Sequence, residues 1–158
     1  MRDILITGAS GQLGRALEHA LSRHYNLHLT SREPLNNVQN NVEELDISCR
    51  ESVYKLVNKI NPDIIINCAA YSNVDKCEIN KNICRNVNVK GLENLVLMAD
   101  KNTKFIHISS DYVFDGINHP FKEEDTTYPV NYYGKSKLEA ENIIRGSNHK
   151  WVIFRPNV

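Results

Sequence analysis

Three glycines spaced three residues apart, Gly8, Gly11 and Gly14, stand between a short apolar run (residues 3–7) and an amphipathic repeat. Leu13, Ala16, Leu17, Ala20 and Leu21 recur at helical spacing, which predicts a helix with one apolar face. A strand that turns through glycines directly into a helix is a demanding arrangement. Gly8 permits the tight turn, Gly11 lets the backbone approach a pyrophosphate, and Gly14 allows close helix–strand packing. The helix N-terminus adds free N–H groups and a positive dipole end. A glycine turn without a ligand reads the same locally, so the rest of the chain must carry the argument.

The pattern that follows alternates strand and helix. Residues 26–30 read as a second strand, with Ser31 and Arg32 where an NAD-selective site would place an acid. Arg32 suits a 2′-phosphate, and it also reads as an ordinary surface arginine. Residues 34–41 are polar and turn-like, and 42–45 form a short strand. Val53, Leu56, Val57 and Ile60 mark a helix capped by Asp46 or Ser48. Ile64, Ile65 and Ile66 make a continuously apolar strand, as expected when both sheet faces are covered. The strand exits on Asn67, Cys68, Ala69, Ala70 and Tyr71, mostly small residues that let a flat ligand lie near the backbone.

A long helix is expected over 80–101, with Ile83, Val87, Leu92, Leu95, Val96 and Ala99 facing inward. Asn88 interrupts it, as a satisfied core asparagine or as an organiser of a site. Residues 104–108 are a fifth strand, 117–131 an irregular loop, and 150–154 a sixth strand. Six strands and five helices match an α/β, doubly wound parallel sheet ordered 3-2-1-4-5-6, one domain over 1–158. Ligands bind such sheets beyond the carboxyl ends of the strands, where Gly8, Asn67, Ser110 and Arg155 all fall.

Composition narrows the partners. Nineteen basic and nineteen acidic residues leave no net charge, and no basic block stands out, which argues against nucleic acid and anionic membrane. No stretch approaches a membrane span. Cys49, Cys68, Cys77 and Cys84 contain no CxxC pair and read as reduced cytosolic thiols rather than a metal site.

Of seven tyrosines only Tyr133 has a lysine four positions downstream, Lys137. On a helix running to about Arg145 the two share a face. An ammonium beside a phenol favours phenolate, so Lys137 is expected to lower the Tyr133 pKa. Ser110, at the end of the fifth strand, could hold a carbonyl oxygen while hydride reaches its carbon and Tyr133 donates the proton.

The stretches 7–14 (TGASGQLG), 67–70 (NCAA), 75–78 (DKCE), 86–88 (NVN), 109–116 (SSDYVFDG) and 131–138 (NYYGKSKL) together resemble the extended short-chain dehydrogenase/reductase family, in its dTDP-4-dehydrorhamnose reductase branch. The resemblance implies an NADPH- or NADH-dependent reduction of the 4-keto group of a deoxysugar nucleotide. It implies Ser110, Tyr133 and Lys137 as the catalytic set. Cofactor contacts are implied at Gly8, Ser10, Gly11, Gln12, Leu13, Arg32, Asp46, Ile47, Cys68, Ala69, Ala70, Tyr71 and Asn88, besides Tyr133 and Lys137. Family members continue past Arg155-Pro156 into a lobe that grips the sugar nucleotide, whereas this sequence ends at Val158. The expectation is therefore either an excised or truncated cofactor domain or a naturally short relative, cytoplasmic, in which NADP(H) binding survives and sugar-nucleotide turnover is weak or absent. Homodimer pairing through the helices at 80–101 and 132–145 is compatible with the resemblance. The same motifs also resemble the regulatory β subunit of methionine adenosyltransferase, which would make the chain a non-catalytic NADP-binding module. A sugar-nucleotide epimerase or dehydratase is a further alternative, against which Tyr112 stands where a dehydratase needs an acid beside Asp111.

Overall fold

The computed structural model describes residues 1–33, 42–117 and 120–157. The turn-like reading of 34–41 lies outside the described residues. Six strands, β1 (Asp3–Thr7), β2 (Asn26–Ser31), β3 (Val42–Glu44), β4 (Ile64–Asn67), β5 (Lys104–Ile108) and β6 (Trp151–Phe154), form one sheet in the order β3-β2-β1-β4-β5-β6. Every pairing is parallel, and the expected strand order is the observed one. The order reverses beside β1, which pairs with β2 on one side and β4 on the other. A crevice opens at that point of such a sheet.

Alternation along the strands divides the core in two. Leu5, Ile65 and Phe105 face Val53, Leu56 and Val57 of α2 (Arg50–Ile60), Leu92 and Leu95 of α5 (Gly91–Met98), and Ala140 and Ile144 of α6 (Tyr132–Arg145). Ile4, Ile6, Leu29 and Ile66 face the other way, toward α1 (Gln12–Leu21). The expected apolar face of α1 is only partly used. Leu17 and Leu21 pack on the sheet, whereas Leu13, Ala16 and Ala20 are exposed. Among the described residues no other helix joins α1 in that cluster, so its flank has nothing to pack against.

The helix expected over 80–101 is divided. A short α3 (Val74–Ile79), not anticipated from the sequence, precedes α4 (Lys81–Arg85), a wide π turn (Asn86–Lys90) and α5. The expected inward face largely holds: Leu92 and Leu95 are buried, Val87, Val96 and Ala99 pack against the same core, and Cys84, Asn88 and Val89 are buried besides, whereas Ile83 is exposed. Asn88 is a satisfied core asparagine, its amide bonded to Tyr71 and Ser136. The run stops at Ala99, which is extended, and Asp100 Oδ1 then accepts the Asn102 N–H in a turn. The cap of α2 also differs. Cys49 is the N-cap and makes no side-chain bond there, while Asp46 Oδ1 accepts from the N–H and hydroxyl of Ser48. Among the described residues no helix is long and apolar enough to cross a membrane.

Candidate active site

The glycine turn closes the near wall of the crevice. Gly8 has φ +69°, and a Cβ there would lie 2.7 Å from the backbone nitrogen of Ala69. Only glycine fits a left-handed position pressed against a neighbouring strand end. Gly11 is the N-cap of α1 and contributes no capping side chain, so the first-turn N–H groups are left for an anion. A cleft of about 350 Å³ runs from this turn across the sheet. That is within the range of small-molecule sites, roughly 300–1,000 Å³.

The cleft gathers residues remote in sequence: Gly8, Ser10 and Gly11 on one wall, Asp46 and Ile47 on a second, and Cys68, Ala69, Ala70 and Tyr71 on a third. The hydroxyls of Ser10 and Ser31 meet at 2.6 Å and tie the glycine turn to the end of β2. Arg32 reaches the same mouth, more than half exposed, with its Nη2 donating to Glu33 Oε1 at 3.1 Å. Sequence reasoning passed over Glu33, a carboxylate in the wall beside the guanidinium. Gln12 and Leu13 stand exposed on the first turn of α1 and do not line this cleft. These features fit a dinucleotide: a backbone cradle that a Cβ would fill, an uncapped helix start and small residues opposite.

Asn88 holds the third wall from behind. Its Oδ1 accepts the Tyr71 N–H at 2.7 Å, while Nδ2 donates to the Tyr71 carbonyl at 3.1 Å and to Ser136 Oγ at 2.9 Å. It is fully partnered within the protein and does not line the cleft. A second buried chain crosses the strand ends: Thr7 Oγ1 donates to Asn67 Oδ1 at 2.6 Å, and Asn67 Nδ2 lies 3.2 Å from His107 Nδ1. Neither link was legible beforehand, since each joins residues forty or more apart.

Ser110, Tyr133 and Lys137 do not line this cleft; they lie behind its third wall, where Tyr71 packs against Tyr133. After β5 the backbone runs extended to Ser110, whose Oγ accepts the Tyr112 N–H and so caps a 3₁₀ turn over Asp111–Val113. Asn131 caps α6 by accepting the Gly134 N–H at 2.8 Å, and the helix presents Tyr133 and Lys137 inward. Gly134 lets this helix start against the turn, because a Cβ there would overlap the Tyr112 carbonyl.

The electrostatics correct one expectation. Burial holds the Tyr133 phenol above its ordinary value, a hydrogen bond with Ser110 draws it partly back, and Cys77, Cys84 and Asp111 push it up. Lys137 is not among the groups that shift it. Its Nζ instead donates to the Ile108 carbonyl at 2.6 Å, and burial pulls the ammonium down to about 8. Its dry surroundings therefore keep the phenol a proton donor near neutral pH, against the pull of Ser110.

A doubly wound parallel sheet with a glycine-turn cleft at its switch point defines a Rossmann-type domain. Comparison places it more closely. The model of the RmlD substrate binding domain family matches residues 1–158, and the chain belongs to that family. It is 36% identical to a dTDP-4-dehydrorhamnose reductase of Aggregatibacter actinomycetemcomitans over 98% of this chain and 51% of that protein. It is 37% identical to the mouse methionine adenosyltransferase 2 subunit beta, over 98% of this chain and 46% of that one. The crystal structure of the Bacillus anthracis dTDP-4-dehydrorhamnose reductase in complex with NADP superposes with a TM-score of 0.86 at 31% identity, over 99% of this chain and 53% of that one. The chain thus spans about half the length of the relatives it matches.

Proposed function

We propose that residues 1–158 form the NADP(H)-binding domain of a cytoplasmic reductase that acts on the 4-keto group of a dTDP-deoxysugar, converting dTDP-4-dehydrorhamnose to dTDP-L-rhamnose. The reaction is that of the whole protein, of whose relatives this chain matches half. The observation that carries the reading is the convergence of Ser110, which caps the turn after β5, and the buried Tyr133 of α6 at the carboxyl end of the sheet, where Tyr133 packs against Tyr71 of the cleft wall.

When bound, NADPH supplies hydride to the carbonyl carbon. Ser110 would hold the carbonyl oxygen, and Tyr133 would deliver its phenolic proton to that oxygen as negative charge develops there. An ammonium has three donors. Lys137 spends one on Ile108, leaving others for the cofactor ribose. Gly8, Gly11 and the start of α1 would take the pyrophosphate, Asp46 and Ile47 the adenine, and Arg32 the 2′-phosphate.

Calorimetry of NADPH and NADH with the parent chain and Arg32→Ala tests the cofactor. NADPH should bind more tightly, and the variant should lose about tenfold for NADPH alone. Absence of binding by either cofactor would overturn the reading. A second reading is favoured by the likeness to the methionine adenosyltransferase subunit: an NADP-binding module that serves a partner enzyme. Co-purification with a synthetase, and full retention of that association in Tyr133→Phe, would establish it. NADPH oxidation dependent on dTDP-4-dehydrorhamnose, lost in Tyr133→Phe, would exclude it.

A further inference from the structure

Glu141 lies one turn beyond Lys137 on α6 and has no exposed surface. A carboxylate removed from water must be paired. Arg155, the first residue after β6, meets it with both arms of the guanidinium: Nε to Oε1 at 2.9 Å and Nη2 to Oε2 at 2.7 Å. Arg145 adds a longer contact of 3.4 Å to Oε2. The paired cations hold the Glu141 carboxyl below its ordinary value although burial opposes them.

Arg155 then reaches outward. Its Nη1 donates to the Glu123 carbonyl at 3.2 Å, and its guanidinium sits 5.0 Å from the ring centre of Phe114. Phe114 closes the turn that Ser110 opens and stacks on Phe121 at 4.5 Å. A bidentate carboxylate–guanidinium pair fixes orientation as well as distance. One buried acid thus joins the helix of Tyr133 and Lys137 to the turn of Ser110 and the end of β6.

Its charge has a second target. Lys137 is faced by Glu141 from its own helix, Cys68 after β4, Cys84 on α4 and His107 on β5. Glu141 is the first of the groups that oppose the loss of its proton.

We propose, on the reductase reading above, that Glu141 is a positioning residue: through Arg155 it holds the Ser110 turn against the Tyr133–Lys137 helix, and through its charge it keeps the Lys137 ammonium protonated. The two variants that break the pair then act oppositely on Lys137. Glu141→Gln removes the carboxylate and leaves an unbalanced guanidinium nearby. Arg155→Met frees the full field of Glu141 for Lys137.

The test is NMR titration of the Lys137 side chain, assigned by its loss in Lys137→Arg, in the parent chain and both variants without cofactor. The midpoint should fall by about one pH unit in Glu141→Gln and rise by about half a unit in Arg155→Met. Shifts in the same direction, or none, would mean a purely mechanical link and overturn the proposal. Should Glu141→Gln not fold, the Arg155→Met midpoint decides alone, and it must rise. NADPH calorimetry on the same samples separates the two readings. A parent chain that binds no NADPH overturns the reductase reading, while the titration still judges Glu141.

Discussion

The Lys137 ammonium and the Ile108 carbonyl, twenty-nine residues apart, meet at 2.6 Å. The contact fastens α6 to the end of β5 and directs the lysine charge at a strand carbonyl. Burial is what makes this charge costly, since the side chain is almost wholly out of solvent.

Replacing Lys137 should therefore stabilise the chain. Burial depresses Lys137 from its usual 10.5 to about 8. Between those values the unfolded chain binds more protons than the folded one, so this group's contribution to stability rises with pH across the window. At pH 7 the full penalty remains. Lys137→Met should gain about 2 kcal/mol in urea unfolding at pH 7, the shift being worth about 3 kcal/mol before the lost bond to Ile108 is subtracted. The gain should narrow toward pH 10. Measuring the difference from the parent cancels the opposite trend of Cys68, whose thiol is pushed up to about 11. A parent more stable than the variant at pH 7 would show that the carbonyl contact outweighs burial.

Gly134→Ala should be among the most damaging single-methyl changes in the chain. The added Cβ would overlap the Tyr112 carbonyl and lie 3.0 Å from the Pro129 Cβ. Backbone on one side and a ring on the other leave little room to relax. A loss of about 2–3 kcal/mol is expected, read as a lower urea midpoint at unchanged slope. An unchanged midpoint would mean that α6 shifts freely relative to the Ser110 turn.

Asn88→Ala should weaken a ligand that Asn88 does not face. Its amide holds both backbone groups of Tyr71, and removal leaves that N–H without its partner and the carbonyl with only the weaker Cys77 thiol. About 2 kcal/mol of stability should be lost, together with a several-fold drop in NADPH affinity by calorimetry as the Tyr71 wall loosens. Unaltered NADPH affinity in a destabilised variant would show that the wall keeps its shape without the pin.

Much of the fold was legible because the relevant information is local. Short apolar runs located the strands, period-3.6 repeats located the helices, and glycines between a strand and a helix located the switch point. The spacing of Tyr133 and Lys137 placed both on one face of α6, as observed. The run over 80–101 reads as one helix because its periodicity is continuous, and the π turn over Asn86–Lys90 leaves no mark in that period; Asn88 is the satisfied core asparagine that is one of its two readings. The α1 face was overestimated because periodicity says which side is apolar and not how much of it a neighbour covers.

The sequence by itself determined the strands, the helices and the residues at the carboxyl ends of the strands, since these follow from local periods and turn sterics, and their alternation with right-handed crossovers gave the strand order. The tertiary structure alone decided where charge resides. Lys137 turns to Ile108, Tyr133 stays a neutral donor beside Ser110, and Glu141 closes on Arg155. Desolvation and pairing depend on atoms brought together from distant parts of the chain, and no local spacing encodes them.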